Sequence, residues 1–324
     1  MKRKLWTLLL ALGAALALCV GASATEVSTA DALTGDNIEL NGEYKLTADI
    51  TIGESIEIKS GKAVTLDLNG HVLQYTSENR GSVIMVEGGG KLTVKDSNSS
   101  ATHKFKPNSD GLWVLNENAN GTEGTDYQIV SGGVITGGTG TGVQFGTRTQ
   151  YQGGGVYVAE GGSLTMSGGN IVGCTADDRG GGVALQKNAA FTMSGGSIIG
   201  CTAGVGGGVG CYDSGNTIAL SDRACIRDCR ATRSGGGIWS NGQLTMEGNA
   251  SILRCIAASS SGGGVNVAGG SCSMSGNAQI RGCRAVSGLY YDARGGGVYV
   301  SNAAEWLTLS GSAKIENCRA ETAE

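Results

Sequence analysis

The sequence predicts an all-β chain wound into a parallel β-helix, a solenoid with about 27 residues and three strands in each coil. The first observation is composition, because 58 of the 324 residues are glycine and only one is proline. The second is a unit of about 27 residues that recurs six times. The third is that each unit alternates apolar and polar residues over short runs, which is the period of a strand and not of a helix.

Composition also excludes several classes of protein. The glycines do not recur at every third residue, which rules out a collagen triple helix. Charged residues make up 16% of the chain and aromatic residues 5%, which argues against a charged coiled coil and against a basic nucleic-acid-binding face. At this length the chain can bury a sizeable core in one large or elongated domain.

Residues 1–24 have the pattern of a secretory signal peptide. Basic residues at 2–4 precede an apolar run at 5–20, and small residues at 22–24 provide a cleavage site. The run is short for a membrane span, and no second run of spanning length follows. We expect secretion with cleavage after Ala24. Loss of three positive charges changes the formal net charge from −4 to −7, which argues against nucleic acid and anionic membranes as partners.

Each repeat contains a Gly-Gly-Gly-apolar block, then a strand of the Leu-Thr-Met-Ser-Gly type, then an Ile-x-x-Cys segment. The glycine blocks begin at Gly153, Gly180, Gly206, Gly235, Gly262 and Gly295, in steps of 27, 26, 29, 27 and 33 residues. The middle strands begin at Leu164, Phe191, Ile218, Leu244, Cys272 and Leu307. Coils stacked at strand spacing, about 4.8 Å, place equivalent residues in columns, and only stacking buries the apolar face.

Three regions follow from this pattern: a leader at 1–24, less regular coils at 25–150 and six regular coils at 151–324. Within the second region, residues 26–44 are expected to cover the first coil, because an open coil end exposes unpaired backbone. Residues 101–127 break the repeat and contain the single proline, Pro107, so we expect an inserted loop on one face.

Several motifs resemble a known family. Residues 64–71 read VTLDLNGH, residues 88–94 read GGGKLTV, and variants of GGGVYV, LTMSGG and GCTA recur afterwards. Together they resemble the right-handed β-helix surface proteins of gut Gram-positive bacteria and, more distantly, the polymorphic outer-membrane adhesins with their pectin-lyase-like fold. The resemblance covers nearly the whole mature chain and implies a right-handed solenoid on a bacterial cell surface. It does not choose an activity, because this fold hosts adhesins, lyases and hydrolases.

Cysteine stands where the adhesin repeats usually carry asparagine. Six cysteines form one predicted column: Cys174, Cys201, Cys229, Cys255, Cys283 and Cys318. Cys211 and Cys272 align with inward apolar positions, and Cys225 is expected at a turn. The spacing differs from the short CxxC pairs of zinc sites, so we expect neither a metal nor another cofactor. Buried thiols and coil-to-coil disulfides both stay open, and in either form the column is structural.

A catalytic β-helix would need carboxylates that converge on one outer groove. Asp177 and Asp178 share one turn, and Asp67 belongs to a strand-and-turn motif that recurs in this fold. His71 and His103 are the only histidines and are not obviously coupled. We therefore predict no catalytic residue. A polysaccharide lyase or glycoside hydrolase on the same scaffold is the alternative.

The outward columns are the remaining place for function. The column after the glycines contains three aromatic residues, Tyr157, Trp239 and Tyr299. Because aromatic faces stack on sugar rings, these residues are the candidate ligand-binding positions. On another face Val172, Ile199 and Leu253 would point outward as a weak contact patch.

The sequence thus predicts a secreted, non-catalytic surface protein that acts as an adhesin or a structural stalk. Its expected partners are glycans or proteins of the host or of neighbouring cells. No cap is visible after Cys318, so we expect further sequence or a partner to cover that end.

Overall fold

A computed structural model describes residues 23–35, 39–108 and 112–322. Most of the predicted leader lies outside the described residues. Three long parallel sheets, called I, II and III, contain ten, nine and eight strands. Successive coils contribute one strand to each sheet through most of the chain, so the predicted parallel β-helix is confirmed.

The strands of the three sheets have the following bounds. Sheet I contains Thr25–Val27, Gly42–Leu46, Ala63–Asp67, Lys91–Lys95, Ser163–Met166, Ala190–Met193, Thr217–Leu220, Gln243–Met246, Gly270–Met274 and Ala304–Leu309. Sheet II contains Ile50–Ile52, Val72–Tyr75, Val134–Thr136, Asn170–Val172, Ser197–Ile199, Cys225–Arg227, Ser251–Leu253, Gln279–Arg281 and Lys314–Glu316. Sheet III contains Ile56–Ile58, Ile84–Val86, Val156–Val158, Val183–Leu185, Val209–Cys211, Ile238–Ser240, Val265–Val267 and Val298–Val300.

The strand register places the repeats in the predicted columns. In sheet I, Phe191 pairs with Leu164 in the coil before it and with Ile218 in the coil after it. In sheet II, Ile198 pairs with Ile171 and Ile226 in the same way. These side chains are almost completely buried, and one continuous core runs through the stacked coils. Cys225 is not at a turn, since it begins a strand of sheet II.

A fourth parallel sheet, sheet IV, was not predicted. It consists of Thr202–Ala203, Arg230–Ala231, Ile256–Ala257, Arg284–Val286 and Arg319–Glu321. Each strand directly follows a column cysteine, and the alanines at 203, 231, 257 and 285 are buried. A two-residue strand is too short to show alternation, which is why the sequence pattern did not reveal a fourth side to the later coils.

The triple glycines form a corner where successive coils approach closely. A Cβ on Gly207 would lie 2.5 Å from the carbonyl oxygen of Arg230 and 2.6 Å from that of Gly236. Both contacts are with the main chain of the following coils, which cannot move aside as a flexible side chain can. Glycine is therefore required here by close packing of one coil on the next.

The N-terminal residues extend the solenoid. Thr25–Val27 pairs in parallel with Gly42–Leu46 at the edge of sheet I, and Ala30–Ala32 form a short 3-10 helix. Leu33 and Leu40 are each 2% exposed and join the main core. The apolar ends of the first coils are therefore packed against this segment.

Two strands lie within the predicted loop at 101–127. Thr102–Pro107 pairs antiparallel with Trp113–Leu115 and with Gln128–Ser131. The resulting three-stranded sheet packs on the outer face of sheet II, with Phe105 fully buried. Val172 and Ile199 are covered by this insertion and are 0% and 1% exposed. The expectation that they form an exposed contact patch with Leu253 is therefore wrong.

A second insertion is the antiparallel hairpin of Thr141–Phe145 and Arg148–Gln152, which lies in the chain between Val134–Thr136 of sheet II and Val156–Val158 of sheet III. In the last described coil the inward side chains Val298, Leu307 and Ile315 are only partly buried. Within the described ranges, no helix has the length and apolar character needed to cross a membrane.

Candidate functional site

The column cysteines form a ladder of thiols along the solenoid, all of them buried except Cys318, which is partly exposed. Cys201 Sγ lies 3.8 Å from the carbonyl oxygen of Ile171 in the preceding coil and 3.5 Å from that of Ile199. The other five repeat this pattern, with one carbonyl two residues earlier and one in the preceding coil. Each thiol therefore has backbone acceptors from two coils. All nine cysteines of the described residues are free.

Burial suppresses ionisation of three thiols in the middle of the ladder, Cys201, Cys229 and Cys255. Removal from water, followed by the neighbouring Cys174 thiol, raises the pKa of Cys201 well above its usual range. Burial alone raises the pKa of Cys272 to about 12. Because the thiolate is the reactive form, these buried thiols are poor nucleophiles in the folded protein.

We expect alkylation of the native protein at about pH 8 to modify Cys225 first, because it is partly exposed whereas Cys201 and Cys229 are fully buried. Cys318 is also partly exposed, but its hydrogen bond with the Cys283 thiol raises its pKa and should slow its reaction. Mass spectrometry of peptides over time would give the order. Unfolding of an unlabelled sample in concentrated urea without reductant should release nine reactive thiols from residues 25–324. A lower total would establish disulfides, and early labelling of Cys201 would show that the ladder opens.

Asp67 has a structural role in the turns. Its side chain is 4% exposed, and its Oδ1 accepts hydrogen bonds from the backbone N–H groups of Asn69 and Ser97, both at 2.9 Å. Asp96 accepts from Gly70 at 2.7 Å and from Gly133 at 2.9 Å. These carboxylates join turns of successive coils, and Asp96 also lines a groove of about 500 Å³.

Asp177 and Asp178 are each paired with arginine. The Arg80 guanidinium hydrogen-bonds Asp177 and lowers the pKa of that carboxyl. Asp178 accepts from Arg179 Nε at 2.7 Å and from Arg233 at 3.2 Å. Two adjacent carboxylates held by three arginines serve as anchors for the turn, and neither is placed as a free acid or base.

The two histidines contact different carboxylates. His71 Nδ1 lies 3.2 Å from Asp49 Oδ1. His103 Nδ1 lies 2.8 Å from Glu117 Oε1, and His103 Nε2 lies 2.9 Å from the carbonyl oxygen of Gly70. Across the residues that the structure describes, no group of three or more His, Cys, Asp and Glu side chains is arranged to hold a metal ion.

The three aromatic candidates do not form one platform. Tyr157 is only 9% exposed, and burial raises the pKa of its hydroxyl. Trp239 stacks on Tyr212, with ring centroids 6.0 Å apart and planes 20° apart. The Arg179 guanidinium lies 4.5 Å from the Tyr212 centroid. Trp239 and Tyr212 therefore form a stack at the surface, in which Tyr212 is 54% exposed, whereas Tyr157 is too buried to contact a ligand.

Tyr299 instead joins two exposed tyrosines that the sequence analysis did not single out. Tyr290 and Tyr291 are 88% and 68% exposed, and they lie on a loop that follows the strand Arg284–Val286. A groove of about 1030 Å³ lies on one side of the loop, and a second groove of about 360 Å³ contains Tyr299. Both grooves are lined by Ser234, Ser260, Tyr290 and Tyr291, and we call them together the twin groove.

The loop is held by its own hydrogen bonds and by the neighbouring coil. Gly288 N–H donates to the carbonyl oxygen of Tyr291 at 2.9 Å, and Ser287 N–H donates to the backbone carbonyl oxygen of Glu321 in the last coil at 2.9 Å. The sequence carried one signal of this site, since the step from Gly262 to Gly295 is 33 residues where the others are 26 to 29. The additional residues include the two tyrosines.

Comparisons of the chain with protein-family models, with curated proteins and with solved structures found no match. The candidate site therefore stands on its geometry. It consists of exposed aromatic rings between two open grooves whose walls carry hydroxyl, amide and guanidinium groups.

Proposed function

We propose that this chain is a secreted, non-catalytic β-helix protein that binds glycans at a bacterial cell surface. The observation that carries the proposal is the pair of exposed tyrosines, Tyr290 and Tyr291, between the two parts of the twin groove. Sugar rings have apolar faces that stack on aromatic rings and hydroxyl edges that need hydrogen-bond partners. The twin groove provides both kinds of contact.

The carboxylates support a binding role over catalysis. Hydrolysis of a glycosidic bond needs two carboxyl groups flanking that bond. The twin groove is lined by a single one, Asp292, in its smaller part. Asp177 and Asp178 are paired with arginines, and Asp67 is bound to backbone N–H groups. The hydrolase alternative thus lacks a carboxylate pair in the twin groove.

The solenoid suits a display role. Its core is continuous from the N-terminal segment through the regular coils, so the grooves are carried by a scaffold in which each coil is fixed by its neighbours. Secretion would place this scaffold outside the cell, where plant, mucin and bacterial polysaccharides are available.

We expect residues 25–324 to bind at least one member of a panel of plant, mucin and bacterial polysaccharides without cutting it. Binding is measured by retention of the protein in native gels that contain each polysaccharide, and cutting by reducing-end assay and size analysis. New chain ends would establish an enzyme and overturn the non-catalytic assignment. An absence of retention by every polysaccharide would refute the glycan-binding function.

A further inference from the structure

The charge of the twin groove is informative about its ligand. Arg233, which lines the larger groove, already pairs with Asp178 at 3.2 Å. The smaller groove contains one acidic and one basic residue, Asp292 and Arg294. The two signs therefore offset each other along the site, and no excess of positive charge is available to attract a polyanion.

Neutral hydrogen-bonding groups make up most of the remaining polar lining. Serine hydroxyls stand at 234, 259, 260 and 287, with Ser261 and Asn266 in the smaller groove. Asn266 is 5% exposed and donates through Nδ2 to the carbonyl oxygen of Ser261 at 3.4 Å, which fixes the orientation of its amide. Hydroxyl and amide groups both donate and accept, as sugar hydroxyls require.

From this chemistry we propose that the twin groove binds a neutral oligosaccharide whose chain crosses the Tyr290–Tyr291 loop. Sugar rings on the two sides of the loop would contact the tyrosine rings and hydrogen-bond to the serine-lined walls. Both grooves have volumes typical of sites for small molecules. This inference rests on the proposed glycan-binding function, and it adds the site and the ligand class.

The test measures dissociation constants by calorimetry for residues 25–324 with four probes. Three are neutral hexasaccharides, of glucose, mannose and N-acetylglucosamine, and the fourth is an oligogalacturonate of the same length. We expect a neutral probe to bind more tightly than the acidic one. Because the contacts are uncharged, its dissociation constant should change less than about twofold between low and high salt.

Two variants locate the site. Replacement of both tyrosines, Tyr290→Ala with Tyr291→Ala, removes the stacking surface and should weaken binding about tenfold or more. Ser260→Trp fills the wall shared by both grooves and should have a similar effect. Phe145→Ala is the matched control, because Phe145 is 47% exposed on the hairpin of Thr141–Phe145 and Arg148–Gln152 and lines neither groove. Circular dichroism confirms that each variant is folded.

The outcomes separate the two proposals. Unchanged binding of a neutral probe by both groove variants would overturn the location of the site. Binding of the acidic probe alone, weakened by salt, would overturn the ligand class and leave the glycan-binding function standing. If neither these probes nor any polysaccharide of the wider panel binds, the proposed function itself fails.

Discussion

Gly207→Ala is expected to lower the free energy of unfolding by about 3 kcal/mol. The new methyl group would lie 2.5 Å from the carbonyl oxygen of Arg230 and 2.6 Å from that of Gly236. Relief requires a shift of the main chain at the corner, and this shift disturbs the hydrogen bond from Gly207 N–H to the carbonyl oxygen of Gly235. Urea unfolding followed by circular dichroism gives the change in stability.

Gly53→Ala is the matched control for this substitution. A Cβ at Gly53 would have its nearest neighbour, the carbonyl oxygen of Thr76, at 3.9 Å, which is ordinary van der Waals contact. We expect its unfolding midpoint to stay close to that of the unchanged protein. Equal effects of the two variants would show that loss of glycine flexibility, and not the approach of neighbouring coils, determines the stability of the corner.

Phe191→Ala should cost about 3–5 kcal/mol, as a large cavity in a core usually does. Phe191 is 1% exposed and is among the largest fully buried side chains of the solenoid. It lies in register between Leu164 and Ile218, so its removal takes contacts from the coil before it and from the coil after it. The midpoint temperature of thermal unfolding and the midpoint urea concentration should both be lower than in the unchanged protein.

Thr192→Ala controls for the strand itself. Thr192 is the next residue of the same strand and points outward as an exposed side chain. Its replacement should change stability by less than about 0.5 kcal/mol, since surface substitutions rarely exceed this. A large loss in this variant, or a small one in Phe191→Ala, would contradict the inward and outward assignment of the two side chains.

The sequence was sufficient to predict the solenoid because its register is repeated. The glycine blocks, the Phe191 column and the Ile198 column recur at nearly constant spacing, and each recurrence must pair with the previous one to bury its apolar face. The inward position of Cys211 and Cys272 followed from the same alignment, and both are fully buried.

Features outside the repeat were not predictable in the same way. The insertion around Phe105 occurs once, so no periodicity identified its three-stranded sheet or its contact with Ile199. Tyr290 and Tyr291 belong to no column, and only the longer step to Gly295 marked their loop. Tyr157 shared a column with Trp239, but its burial depends on three-dimensional contacts that a column position does not specify.

Because the coils stack in register, the number of coils determines the length of the solenoid. Every regular coil adds one strand spacing, about 4.8 Å, to the length of the solenoid. Val183 pairs with Val209 in the same register in which Val209 pairs with Ile238. If one whole unit were removed, the coils on either side of it would therefore pair with each other in that register. Duplication or loss of a unit could therefore set how far the grooves stand from the N-terminal end, with the internal packing almost unchanged.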